Sequence, residues 1–132
     1  VTGVQTCALP IYVIDLMPTF LDLAGVDAPT EIAGRPVASI EGLSLAPAFD
    51  GGSIDREAIY WEHEGNRAVR QGRWKLVARH GGDWELYDLV ADRRERDDLA
   101  PRHPERVARM GAMYAAWSER TGVRPWPLRP PN

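Results

Sequence analysis

At 132 residues and 44% apolar content, the chain holds one modest core, and no stretch reaches the roughly 18 consecutive apolar residues of a membrane span. The net charge is only −3, and acids alternate with bases, as in Asp92-Arg93-Arg94-Glu95-Arg96-Asp97-Asp98; no basic stripe suits nucleic acid, and that run reads as a solvated loop. A single cysteine, Cys7, permits no internal disulfide.

In chain order, Asp15 is placed to cap a helix over 16–24, with Pro18 in the first turn and Gly25 positioned to end it. Leu16, Phe20, Leu23 and Ala24 form an apolar face, and Met17 and Leu21 narrow the polar side. A helix so widely apolar is expected to pack on more protein than this chain supplies. Residues 26–53 are rich in Gly, Pro and short polar side chains and read as a connector, with one helical turn after Ser44 as N-cap.

From Ala58 the period changes to two. Ala58, Tyr60 and Glu62 alternate with Ile59, Trp61 and His63, which predicts a strand with one face on a core. Glu64-Gly65-Asn66 supplies a reversal in which Gly and Asn tolerate positive φ, and Arg67–Gln71 returns as a second strand. Gly72 turns the chain into a third strand over 73–79, and Gly81-Gly82 into a fourth with Trp84, Leu86 and Asp88 on one side. His103-Pro104 then opens a helix in which Val107, Met110, Tyr114 and Trp117 recur at helical spacing; Glu105 favours its dipole and is within reach of Arg109, and Gly122 ends it. Pro125, Pro127, Pro130 and Pro131 make the tail an extended strap or a loose end.

The predicted fold is therefore α+β: a four-stranded antiparallel sheet packed against a C-terminal amphipathic helix, preceded by one further helix. Trp74, Trp84, Tyr114 and Trp117 are its expected core, in preference to a sugar-binding platform. Chemical motifs are scarce. His63-Glu64 begins like a zinc-protease HExxH, but position 67 is Arg and the segment is a strand end. Glu62, His63, Glu64 and His80 are an imaginable surface metal set, though scattered histidines are more often merely solvated. No glycine-rich phosphate loop precedes a helix, and no G-x-S-x-G elbow supports a serine triad.

The string WEHEGNRAVRQGRWKL, followed by WELYDL and ERDDLA, resembles the C-terminal subdomain of arylsulfatase-type sulfatases, a branch of the alkaline phosphatase superfamily. Val13–Thr19 with Leu21–Gly25, and EGLSL at Glu41–Leu45, are similar to the segments by which that family's large domain hands over to the small one. The resemblance runs from about Tyr12 to Val123. It divides the chain into the end of the catalytic domain with its connector over 12–53, a C-terminal subdomain over 54–123, and a Pro-rich tail over 124–132. Residues 1–11, VTGVQTCALPI, fall outside it and resemble a translated sequencing adapter, which reads as a non-native artefact of truncation; a genuine strand is the alternative.

The family resemblance implies an enzyme that hydrolyses sulfate esters, aryl or carbohydrate, with a formylglycine made from the Cys or Ser of a C/S-x-P-x-R motif and with a calcium ion. Neither belongs to this chain: Cys7-Ala-Leu-Pro puts the proline one place late, and Ser39, Ser44, Ser53 and Ser118 fail the same test. The fragment is expected to be inactive without an N-terminal catalytic domain in cis, so no catalytic or metal-binding residue is assigned here. The resemblance places His63, Glu64, Asn66 and Arg67 where they would shape the substrate pocket beyond the sulfate, reading the alcohol or sugar. Against that, Glu62 and Arg67 could simply pair across the hairpin while Asn66 serves the turn. A phosphodiesterase or phosphonate hydrolase of the same superfamily, and a non-catalytic glycan-binding or interaction module using Trp61, Trp126 and the hairpin, are the alternatives. Export stays open, because a leader on the full-length protein would direct it to the periplasm or outside, and its lack would leave it in the cytoplasm.

Overall fold

A computed structural model describes residues 12–128, which fall into two compact units divided between Arg56 and Glu57. In the first, a 3-10 turn (Val13–Asp15) runs into helix α1 (Leu16–Ala24), which Gly25 ends at φ 64°. Its N–H bonds to the Asp22 carbonyl, and the Val26 N–H bonds to that of Leu21. Asp15 stands at the N-cap position but is itself helical and makes no side-chain cap. Its carboxylate is instead fully buried, accepting the N–H of Tyr12 (3.1 Å), the N–H of Leu43 (3.0 Å) and the Arg56 guanidinium.

The connector contains a hairpin that period-two reading could not see, because its strands β1 (Glu31–Ile32) and β2 (Arg35–Pro36) are two residues each. Ala33 and Gly34 both take positive φ between them, as a type I′ turn requires. Helix α2 (Ala46–Phe49) follows, with Leu45 at its N-cap. Ser44, the expected cap, lies one place earlier; its hydroxyl accepts the Ala46 N–H (3.1 Å) and donates to Asp22. Gly42 lies against the backbone at Ile14, where an added Cβ would stand 2.0 Å from the carbonyl oxygen. The close approach brings Leu43 to Asp15, and the Leu45 N–H to the Thr19 hydroxyl at 2.9 Å.

The second unit is a four-stranded antiparallel sheet in the order β3 (Ile59–His63), β4 (Asn66–Gln71), β5 (Trp74–Ala78), β6 (Glu85–Asp88), with helix α3 (Pro104–Thr121) on one face. Val69, Leu76 and Leu86 stand in adjacent strands and meet Met110 and Tyr114 of α3. The four aliphatic residues are fully buried, while Trp74, Trp84 and Trp117 ring this centre half-buried. The core is thus aliphatic with an aromatic collar: Tyr60 stacks on Trp117 at 5.2 Å between centroids, and Trp84 meets Tyr114 edge-on at 5.6 Å.

The acidic-basic run before α3 is anchored more than a solvated loop would be. Asp92 accepts the N–H groups of Arg94, Arg96 and Asp97, and Asp98 accepts those of Leu86 (2.9 Å) and Ala100 (2.8 Å). Leu99 donates back to the Leu86 carbonyl at 2.8 Å, so the ERDDLA segment extends the edge of β6. Just before β5, Arg73 grips Asp88 with both ends of its fork, the Nε contact at 2.7 Å, which holds the Asp88 carboxyl below its usual range. Arg109 reaches the Gln71 side chain rather than Glu105.

Candidate functional site

The tip of the β3–β4 hairpin is built by a two-residue turn. His63 pairs with Asn66, and Glu64 and Gly65 between them both take positive φ, 53° and 80°. Asn66, expected within the reversal, opens β4 instead. Three bonds stiffen the tip: Glu62 Oε1 accepts the Gly65 N–H (2.8 Å), Asn66 Nδ2 donates to the His63 carbonyl (2.8 Å), and Asn66 Oδ1 accepts the His80 N–H (3.2 Å).

Glu62 and Arg67 face each other in register, yet they form none of the ion pairs among the described residues. Arg67 lies over the Trp84 ring at 4.5 Å and donates to the Gly82 carbonyl at 3.2 Å, while its Nε is buried without a hydrogen-bond partner. Burial pushes the Tyr114 hydroxyl up, and the nearby Glu62 charge adds to that.

Of the four residues singled out from sequence, His63 and Glu64 are exposed and line a recess of about 400 Å³. Asn66 is engaged in the turn and Arg67 in the Trp84 contact; neither lines the recess. Its other walls are Glu62 and, from the tail, Arg124, Trp126 and Leu128. Arg124 and Leu128 were not singled out by the sequence, although every second residue of the tail contributes. Among the described residues no three His, Cys, Asp or Glu side chains converge as a metal site, so Glu62, His63, Glu64 and His80 do not assemble one. No described helix is long and apolar enough to cross a membrane.

The family model for the C-terminal region of N-sulphoglucosamine sulphohydrolase matches residues 4–110. An uncharacterised sulfatase of Schizosaccharomyces pombe is 34% identical over 121 residues, covering 86% of this chain and 22% of that protein. An N-acetylglucosamine-6-O-sulfatase of Bacteroides thetaiotaomicron is 34% identical over 100 residues, covering 65% of this chain and 17% of its own length. Among solved structures, a 2-O GAG sulfatase superposes with a TM-score of 0.63 at 31% identity, covering 83% of this chain and 25% of that one. The chain thus spans a quarter or less of the length of these relatives. The sheet with its covering helix, and the sequence that builds them, place the chain in the family of N-sulphoglucosamine sulphohydrolase C-terminal domains, the small domain of sulfatases.

Proposed function

We propose that this chain is the C-terminal part of a sulfuric ester hydrolase acting on carbohydrate or aryl sulfates, with its catalytic centre in a preceding domain. Family membership across residues 4–110 carries the reading. The surface of α1 supports it: Leu16, Met17, Phe20 and Leu23 are 44 to 64% exposed, while the one buried side chain of that helix is Thr19. A helix that shows its apolar stripe to water and its hydroxyl to the interior is suited to a larger neighbour. The described residues do not fit a calcium ion, and Cys7 lacks the C/S-x-P-x-R context for formylglycine. Both are assigned to the preceding domain.

In this reading the hairpin tip forms part of the rim of the substrate pocket. His63 and Glu64 contact the sugar or alcohol beyond the sulfate, and Asn66 holds the turn rigid, which limits the entropy lost on binding; Arg67 lies behind the rim, against Trp84. The names of the relatives, an N-acetylglucosamine-6-O-sulfatase and a hexuronate-2-O-sulfatase, favour an amino sugar or uronate sulfate.

Recovery and expression of the complete gene tests the reading. The expected result is a C/S-x-P-x-R motif upstream and sulfate ester hydrolysis that the 132-residue chain alone lacks. In the complete enzyme, His63→Ala is expected to raise KM for a sulfated saccharide by roughly tenfold, about 1.4 kcal/mol, with a small aryl sulfate little affected. An upstream Thr or Ser nucleophile without the motif, and turnover of phosphonate esters, would reassign the protein. A phosphonate monoester hydrolase of Agrobacterium radiobacter shares the fold at 24% identity and TM-score 0.55.

A further inference from the structure

Gly122 closes α3 at φ 71°, and the chain then returns to the tip of the β3–β4 hairpin. Gly65 permits the return. A Cβ built there would stand 2.3 Å from His80 Nδ1 and 3.1 Å from the Trp126 Cβ, so a bare backbone at this point lets His80 and the tail close on the turn. Pro125 and Pro127 flank Trp126 and restrict the strap, which reduces the freedom lost when a ligand binds.

The recess between strap and hairpin combines three chemistries. Trp126 is held at its Cβ but 38% exposed overall, which leaves an indole available to the C–H face of a pyranose. Arg124 is exposed and has no carboxylate within ion-pair distance among the described residues, so its planar fork is available to a sulfate or carboxylate. His63 adds a ring nitrogen, and Glu64 an exposed carboxylate suited to sugar hydroxyls.

We propose that the C-terminal strap and the β3–β4 hairpin together form a subsite for a sugar carrying an anionic substituent, with Trp126 stacking on the ring and Arg124 reading the charge. It rests on the hairpin being a pocket rim, and it adds the tail as a determinant of specificity.

The test uses the ¹⁵N-labelled 132-residue chain, following the Trp126 indole N–H and the Gly65 amide by NMR. The titrants are glucosamine 2-N,6-O-disulfate, N-acetylglucosamine, and sodium sulfate at matched ionic strength. The disulfated sugar is expected to shift both signals, Arg124→Ala to raise Kd about tenfold, and Trp126→Phe, which keeps an aromatic side chain at this position, to raise it several-fold. The uncharged sugar should bind at least tenfold more weakly, and sulfate alone should leave the indole unmoved. No shift with the disulfated sugar, equal shifts with inorganic sulfate, or wild-type affinity in both variants would each overturn the subsite. Hydrolysis by the complete enzyme is read separately: activity without binding here removes the subsite alone, and binding here without sulfatase activity removes the enzymatic reading alone.

Discussion

Asp15 shows how far one side chain can organise its surroundings. Burial alone would push its carboxyl up, but the Leu43 N–H, the Arg56 guanidinium and the Tyr12 N–H outweigh that and hold it below the usual carboxylate range. A carboxyl with a depressed folded value stabilises the fold above its unfolded pKa of about 3.9, and the contribution disappears as pH falls through the folded value. Asp15→Ala leaves Arg56 uncompensated and is expected to cost about 3–5 kcal/mol. All five tryptophans follow Arg56, so fluorescence would miss the change. Hydrogen-exchange protection of the Thr19–Ala24 amides, taken relative to the intrinsic rate at each pH, should show it: lost in the variant at pH 7 and in the wild type only under acid. Gly65 is the second such residue. Gly65→Ala puts a side chain at φ 80° and into the His80 ring, which should cost about 1–2 kcal/mol from backbone handedness alone, read as a lower denaturant midpoint by tryptophan fluorescence. The sequence marked Asp15 as a helix cap because Asp precedes an apolar run; that its carboxylate turns inward depends on Leu43 and Arg56, 28 and 41 positions away.

The elements were legible in proportion to their length. Helix α1 has the predicted bounds, Leu16–Ala24, and the four strands of the main sheet fall where alternation placed them, because a period needs several residues to declare itself. The two-residue strands β1 and β2 carry no such signal. Of the four aromatic residues expected as the core, Tyr114 lies in the buried cluster, while Trp74, Trp84 and Trp117 pack around it half-buried, and Val69, Leu76, Leu86 and Met110 fill the centre. The exposed stripe of α1 makes a further prediction: the 132-residue chain should bind a hydrophobic dye, and Phe20→Ser with Leu23→Ser should remove most of that signal without shifting the unfolding of the sheet unit. A wild-type chain that binds no dye would refute it.

At the scale of the molecule, the chain is two compact units, of which the second holds the fully buried aliphatic cluster and the first buries only Asp15, Thr19 and Leu45 among its described residues. Small apolar burial is a weak source of stability on its own, which agrees with a first unit whose natural place is against more protein. What the sequence determined by itself was the fold class, the order of the strands, the closing helix and the family, because all four are written in local periodicity, turn residues and short strings. The tertiary structure decided what each polar side chain is for: that Asp15 is a buried hub, that Arg67 rests on Trp84 while Glu62 bonds the turn, and that Arg124 and Trp126 share a recess with His63. Those assignments depend on partners brought together across many residues of chain, and no local pattern encodes which donor will meet which acceptor.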